Sequence, residues 1–310
     1  MSNLLFKTRF KGTDIGSPVA AGSAVKFPVT GANEGYDWAC AGLNADNVNI
    51  QLISNDSVVT PTNYLDFGNA TLIPVTNAEL AGYYGNAIHM ELKDTGLAGS
   101  HHANVGWGGQ NMLIIQRIAN GTNPLPPVMT DLYMTSTFKL PATFYGSGME
   151  AGNPGGRADT TLWQFKTGGH VVAGQVTYQG DLRFVGQLTK NSSGGLEIKV
   201  HADNNANGPW TGNPDLWEYS APVPSNFDIN GYNQIEIFVH RHATAGVVKV
   251  AVNGVVVHNL SGLVLMGPGN YDIGRIFACP VYTGANLGLE TIDFAKLKYF
   301  DGIPGGSVLL

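Results

Sequence analysis

The fold of this chain is decided by two neighbouring runs of sequence, Asn233-Gln-Ile-Glu-Ile-Phe-Val-His-Arg-His242 and Gly246-Val-Val-Lys-Val-Ala-Val-Asn-Gly-Val-Val-Val-His258. Apolar residues recur at every second position in both runs. This period is typical of β-strands that have one buried face and one wet face. The two runs are therefore predicted to be adjacent strands in one sheet of a β-sandwich.

A tight hairpin is predicted within the second run. Asn253 and Gly254 stand between two valine runs, and both residue types accept the positive φ angles of a type I′ turn. A two-residue loop also fixes the register of the strands that it joins. The expected cross-strand pairs are Val252 with Val255, Val250 with Val257 and Lys249 with His258, with the valines on the dry face.

The composition favours an all-β protein. Of the 310 residues, 41 are Gly, 16 are Pro and only 13% are charged, which suits many turns and few helices. The net charge is −6 and there is no Lys/Arg cluster. Nucleic acid and anionic membrane are therefore not expected as partners. No apolar run reaches transmembrane length.

Further strands are expected along most of the chain, without a convincing helical period. The clearest are Gly85–Leu92, Gln110–Ile118, Asp131–Leu140, Thr161–Lys166, Leu182–Leu188, Leu196–His201 and the closing run Ile273–Phe300. Residues 203–230 are predicted to be a long loop. Many strands without βαβ alternation indicate a jelly-roll sandwich of two antiparallel sheets. We expect one domain over 1–310, with a loop-rich N-terminal elaboration at 1–84, a core at 85–301 and a tail at 302–310.

The order of these elements resembles that of the concanavalin A-like jelly rolls, in particular the polysaccharide-lyase branch that includes the alginate lyases. The resemblance covers about residues 85–301. It rests on four features of the sequence: Leu132-Tyr-Met-Thr-Ser-Thr-Phe-Lys-Leu-Pro141, Leu162-Trp-Gln-Phe-Lys166, the Asn-Gly hairpin and Ile292-Asp-Phe-Ala-Lys-Leu-Lys-Tyr-Phe300. The same fold also serves lectins, so it does not assign chemistry by itself.

The resemblance implies a site for β-elimination on uronic acid polymers. Gln164 matches the first residue of the family's Gln-Ile-His motif, whereas Lys166 stands in place of its His. Tyr282 matches the final Tyr of a second motif, whereas Ala278 replaces the Lys within it. If the chain is a lyase, Tyr282 is the acid or base and lies within about 10 Å of Gln164, close enough for one sugar ring to span them.

The uronate carboxylate needs a cation, for which Lys166 and Arg117 are the candidates. Gln164 and Lys166 are expected on one face of a strand, with Trp163 and Phe165 buried behind them. The site is incomplete, since a solvated Lys is a poor base near neutral pH.

Other residue types have the chemistry of glycan or metal binding. Exposed aromatic rings stack on sugars, and two histidines lie two residues apart on one strand face. The candidate glycan-binding residues are Trp210, Trp217, Tyr219, His240 and His242. Asp203, Asn205 and Asn207 match the first half of a calcium loop, without its closing acid. Calcium is thus the one candidate cofactor. A plain polar turn is the alternative.

The two cysteines, Cys40 and Cys279, are interpreted as separate buried thiols, with one bridge between them as the alternative. The first ten residues resemble a strand and not a secretion signal. We therefore expect a non-catalytic structural or glycan-binding protein on the outside of a particle, such as a bacteriophage head-decoration or tail protein. Its partners would be a polysaccharide or cell-surface glycan, other virion proteins and further copies of itself. A polysaccharide lyase, secreted or phage-borne, is the alternative.

Overall fold

The computed structural model describes residues 2, 4–8, 25–26, 36–41, 70–76, 78–81, 86–92, 107–119, 129–140, 159–167, 171–172, 175–176, 182–203, 215–270, 273–284 and 290–310. Strands account for most of them. In chain order they are β1 Leu4–Thr8, β2 Val25–Lys26, β3 Tyr36–Ala41, β4 Ala70–Pro74, β5 Asn86–Leu92, β6 Trp107–Ala119, β7 Asp131–Lys139, β8 Asp159–Thr167, β9 Val171–Val172, β10 Gln175–Val176, β11 Arg183–Lys190, β12 Leu196–Asp203, β13 Asp215–Pro222, β14 Asn233–His240, β15 Gly246–Val252, β16 Val255–Leu263, β17 Ile273–Gly284 and β18 Glu290–Phe300.

Sixteen of these strands form two large antiparallel sheets, and β9 pairs with β10 in a separate two-stranded sheet. Sheet I has the order β16-β15-β14-β7-β18-β5-β4, with β1 also paired to β18, and sheet II has the order β13-β12-β11-β8-β17-β6-β3-β2. The chain passes repeatedly from one sheet to the other, as in β6 to β7 to β8 and again in β16 to β17 to β18. This connectivity is that of a jelly roll. The predicted fold class is therefore confirmed.

The core lies between the two sheets and is centred on aromatic rings from sheet II. Ring centroids of Trp163 and Phe184 are 5.3 Å apart, and those of Phe165 and Phe184 are 5.4 Å apart. Sheet I contributes aliphatic side chains to the same cluster, among them Leu132, Met134, Ile235, Ile237 and Val250. At Gly186 a side chain would begin only 3.4 Å from Ile237 Cδ1, so the sheets approach closely here.

The predicted hairpin is present, but its register differs beyond the turn. Asn253 has φ 48° and Gly254 has φ 78°, which confirms positive φ at both turn residues. Val252 pairs with Val255 as expected, although Val255 is exposed. A β-bulge then inserts one extra residue into β16. The other two predicted pairs are therefore wrong, and the observed pairs are Val250 with His258 and Lys249 with Asn259.

That bulge moves His258 to the buried side, where it links the two sheets. Its Nε2 atom lies 2.8 Å from the carbonyl oxygen of Ile198, on β12 of sheet II. A second link is close by, because Trp217 Nε1 donates to the carbonyl oxygen of Val264 at 2.9 Å. Two hydrogen bonds thus join the sheets along the edge where β13 and β16 meet.

Residues 215–222 correct one prediction, since they form the strand β13 and not a loop. Trp217 is half-buried and packs on the core, whereas its neighbours Leu216 and Glu218 are exposed. The sequence signal was weak because β13 is an edge strand that ends at Pro222, and proline breaks the usual pattern of a strand.

The last ten residues lie against the outer face of sheet I. Glu236 Oε2 accepts hydrogen bonds from Tyr133 Oη at 2.7 Å and from Ser307 Oγ at 2.5 Å. Lys249 Nζ donates to the carbonyl oxygen of Leu309 at 2.9 Å. Burial, together with the Glu236 carboxylate, raises the pKa of Tyr133 above its ordinary value. This segment therefore covers part of a face that a simple sandwich leaves to solvent.

The strand register also shows whether Cys40 and Cys279 can form a disulfide. Cys40 on β3 pairs with Ile115 on β6, and β6 in turn pairs with β17, which carries Cys279. Two strand spacings are about 9–10 Å, beyond the Cα separation of about 7 Å that a disulfide tolerates. A bridge between these two cysteines is therefore excluded. No helix among the described residues could span a membrane. The domain boundaries remain predictions.

The buried His258 should make stability depend on pH. Burial lowers its pKa below the ordinary value of 6.5, because the desolvated ring resists protonation. As pH falls below 6.5, the unfolded chain therefore binds a proton that the folded chain does not. We expect the free energy of unfolding to fall by at most about 1.4 kcal/mol per pH unit from this residue.

Urea denaturation at a series of pH values tests this expectation. His258→Gln keeps a donor for the Ile198 carbonyl and should flatten the decline in stability on the acid side. The internal control is the range above pH 7, where the ring of His258 is neutral in both states and the stability difference between the variant and wild type should stay constant. Identical pH profiles for wild type and His258→Gln would contradict the assignment.

Candidate functional site

Sheet II has a polar face on the side away from the core. Gln164 is level with Val185, His201 and Glu218 on successive strands, and directly opposed residues share a face of a sheet. Its neighbours along β8, Trp163 and Phe165, belong to the core cluster. The described side chains of this polar face include Gln164, Arg183, Val185, Gln187, Thr189, Glu197, Lys199, His201, Asp203, Glu218 and Ser220.

The centre of the polar face is sealed. Trp163 and Phe165 are fully buried, as predicted, but Gln164 is only 1% exposed and Gln187 only 2%. Gln164 thus lies on the predicted face of β8, opposite to Trp163 and Phe165, but solvent does not reach its side chain. Residues on both faces of β8 are therefore buried, and strict alternation does not separate buried from exposed positions on this strand.

Two buried amides on this face have unused hydrogen-bonding atoms. Gln164 Nε2 and Gln187 Oε1 have no hydrogen-bond partner in the structure. The two residues lie on the adjacent strands β8 and β11, two positions apart in the register. A buried amide without a partner destabilises the fold, because it has lost its bonds to water.

The charged residues of the face are paired with one another. Arg183 Nε donates to Asp203 Oδ2 at 2.7 Å, and both residues are largely buried. Lys199 Nζ lies 2.6 Å from Glu218 Oε2 near the exposed edge at β13. Each of these two cations thus already has a carboxylate. Such pairs are poorly placed to neutralise the carboxylate of an acidic sugar.

The backbone register separates the positions implied by the lyase resemblance. Gln164 is level with Ile114 on β6, two strands away, whereas Tyr282 pairs with Gln110. These levels differ by about 13 Å along the sheet, more than the 10 Å expected. Arg117 is seven residues beyond Gln110 on β6, so about 23 Å separate its level from that of Tyr282. The backbone of Arg117 is therefore far from that of Tyr282, and a shared site for their side chains stays a prediction.

Several predicted site residues cannot be described further. The side chains of Arg117, Lys166 and Tyr282 lie outside the described residues, although their backbones are placed in β6, β8 and β17. Trp210 also lies outside them. Lys166 pairs with Arg183 and Arg275 across the backbone ladder. Their proposed roles stay predictions.

The aromatic residues of β13 differ in exposure. Trp217 packs against Phe184 at a centroid distance of 6.0 Å, and its indole nitrogen is already hydrogen-bonded to Val264. Tyr219 lies 6.0 Å from Trp217 and is 44% exposed. A series of rings thus leads from the core to the sheet edge, and Tyr219 is the member that solvent reaches.

His240 and His242 lie at the end of β14, in sheet I and not on the polar face. Their rings stack at 6.4 Å, and His240 Nδ1 is 2.8 Å from Asp131 Oδ1. The backbone nitrogens of Thr244 and Ala245 both donate to His242 Nδ1. The tautomer of His242 with its proton on Nε2 fits these contacts. The pair therefore has a local structural role, and its role in glycan binding stays a prediction.

The proposed calcium loop can be followed only at its first residue. Asp203 is buried and its carboxylate is bonded to Arg183, which competes with a metal ion for the same oxygens. Asn205 and Asn207 lie outside the described residues. Within the described part of the chain, no group of three or more His, Cys, Asp or Glu side chains could hold a metal ion.

Sequence reasoning missed Gln187 and the Lys199–Glu218 pair. A signal was present in Leu196-Glu-Ile-Lys-Val-His201, where polar residues alternate with buried ones. Pairing Lys199 with Glu218 required β13, which had been predicted to be a loop.

No protein-family model matches the chain, and no curated protein does. Among solved structures it is similar to alginate lyase Aly36B, at 11% identity over 74% of this chain and 86% of that one, with a TM-score of 0.43. It is also similar to a PL-14 alginate lyase from Aplysia kurodai, at 10% identity over 76% of this chain and 87% of that one, with a TM-score of 0.40. A third similar structure is an endo-1,3-beta-glucanase from Streptomyces sioyaensis, at 12% identity over 96% of both chains, with a TM-score of 0.43. These similarities assign neither substrate nor activity to the chain.

The sealed amide of Gln164 gives a stability test. Gln164→Met keeps the length of the side chain and removes a buried amide without a partner, so we expect the free energy of unfolding to rise by about 1 kcal/mol. Asn233→Leu is the contrast: Asn233 is equally buried but accepts from Asp228 N and donates to the Asp228 carbonyl. Because Asn233→Leu removes these hydrogen bonds, it should lower the free energy of unfolding. Urea denaturation measures both. A clear loss of stability in Gln164→Met would show that its amide supports the fold.

Proposed function

We propose that the chain is a non-catalytic jelly-roll protein that binds a glycan or builds the exterior of a particle, such as a bacteriophage virion. The observation that carries the proposal is the closed centre of the polar face. Gln164 stands at the matching position of the lyase motif, yet it is sealed from solvent. In the lyase motif this glutamine belongs to the site that receives the sugar, and a side chain that solvent does not reach cannot contact a polymer.

Among the described side chains of sheet II, those at the β13 edge are within reach of a glycan. Tyr219 offers an exposed ring there, held in place by Trp217 behind it. The Lys199–Glu218 ion pair lies on the same two edge strands, with Glu218 exposed. Sugar rings stack on aromatic faces through their C–H groups, while their hydroxyls bond to polar side chains. Tyr219 supplies the stacking contact from the core-side face of β13, where it is opposite Val200. Lys199 and Glu218 project from the polar face of the same two strands, so they supply the polar contacts to a glycan that passes over this edge.

The location on a particle rests on composition. The chain has few charged residues, 13%, and 41 Gly, a composition that suits a shell or tail protein with many turns. Its partners would then be other virion proteins, further copies of the same chain and a glycan of the host surface. Mass spectrometry of purified particles from the source of this chain would find it there or exclude it.

The alternative function is β-elimination on a uronic acid polymer. It needs an accessible acid or base and an uncommitted cation for the uronate. Among the described residues of the polar face, Arg183 and Lys199 are held by their own carboxylates. The proposal therefore favours binding over cleavage.

A glycan array followed by calorimetry tests the proposed binding. Wild-type protein should bind at least one glycan, and Tyr219→Ala should weaken that binding about tenfold, because a stacking ring contributes about 1 kcal/mol or more. Val255→Ala is the matched control: Val255 is also 44% exposed but lies on an edge of sheet I. Equal affinity of Tyr219→Ala and wild type would contradict the binding site at β13. Binding to no glycan would contradict the glycan-binding function and leave the structural role, which the mass spectrometry of particles tests.

A further inference from the structure

Two Asn-Gly dipeptides lie within the described residues, and their surroundings differ. One is Asn230-Gly231, in the turn before β14, and the other is Asn253-Gly254, in the β15–β16 hairpin. Asn-Gly is a chemically labile sequence, because glycine has no Cβ to hinder its backbone nitrogen. We propose that Asn230 is a site of spontaneous deamidation, and that hydrogen bonds protect Asn253 from the same reaction.

The reaction has two balanced steps. The backbone nitrogen of the glycine loses its proton and attacks the side-chain Cγ of the asparagine. The bond from Cγ to Nδ2 breaks, and ammonia leaves with that proton. Water then opens the resulting succinimide ring at either carbonyl, which gives aspartate or a β-linked isoaspartate. The co-reactant is water, and no oxidant or reductant is required.

The surroundings of Asn230 leave this reaction open. Asn230 is exposed, and neither its side-chain amide nor the backbone nitrogen of Gly231 has a hydrogen-bond partner in the described part of the chain. Only its backbone nitrogen is engaged, with Asp228 Oδ1 at 2.8 Å. A side chain at position 231 would collide with the Asp228 carboxylate. The packing that favours glycine there therefore also maintains the labile dipeptide.

The side chain of Asn253 is held by three hydrogen bonds. Its Oδ1 accepts from the backbone nitrogen of Gln234 at 2.8 Å. Its Nδ2 donates to the Asn226 carbonyl at 2.9 Å and to Asn233 Oδ1 at 2.8 Å. Turning Cγ toward the nitrogen of Gly254 would break these bonds. Asn233, itself fully buried, would then lose one of its partners.

Deamidation of Asn230 should alter the turn in a defined way. Aspartate adds a negative charge two residues from Asp228, and isoaspartate adds a methylene to the backbone. The carbonyl of Gly231 accepts a hydrogen bond from Asn233 Nδ2 at 3.3 Å. A longer backbone at position 230 displaces this carbonyl. An aged preparation should therefore contain a more acidic form of the protein, independently of any glycan binding.

Peptide mapping by mass spectrometry after incubation of the folded protein in isotopically labelled water tests the proposal. We expect Asn230 to deamidate at least about tenfold faster than Asn253, since several hydrogen bonds must break at Asn253. In concentrated urea the two rates should become similar. The variant Asn230→Ser should lack the acidic form. Equal rates in the folded protein, or faster reaction at Asn253, would overturn the proposal.

Discussion

The packing of Trp163, Phe165 and Phe184 between the two sheets is the constraint on which the rest of the structure depends. These rings come from the adjacent strands β8 and β11 and meet aliphatic side chains of sheet I. Their burial fixes which face of sheet II is apolar, since a shift by one residue would move all three rings out of the core and onto the opposite face. The same burial places Gln164 and Gln187 on the opposite, polar face.

The polar face shows how a fold shared by enzymes and binding proteins can lack an open site. Its central amides are sealed, and its described cations are neutralised by Asp203 and Glu218. Among the side chains of sheet II that the structure describes, the exposed aromatic ring is that of Tyr219, at the β13 edge. Binding at an edge requires no proton transfer and no desolvated charge, which agrees with the chemistry that these residues provide.

The sequence predicted the fold better than the site. Period-two patterns and the Asn253-Gly254 turn predicted strands and a hairpin, because local sterics determine both. The bulge in β16 was not predictable, since it depends on how His258 reaches Ile198 in the other sheet. The burial of Gln164 was missed for a similar reason. Alternation of apolar and polar residues along a strand shows that its two faces differ, but it does not show that both faces are buried.

The central claim, that the chain binds without cleaving, is tested most directly by absorbance of unsaturated uronate products. Wild-type protein would be incubated with a panel of acidic polysaccharides, including alginate. The account predicts no increase in absorbance for any polymer. A steady increase with wild type that disappears in Tyr282→Phe, while that variant unfolds at the same urea concentration as wild type, would contradict it.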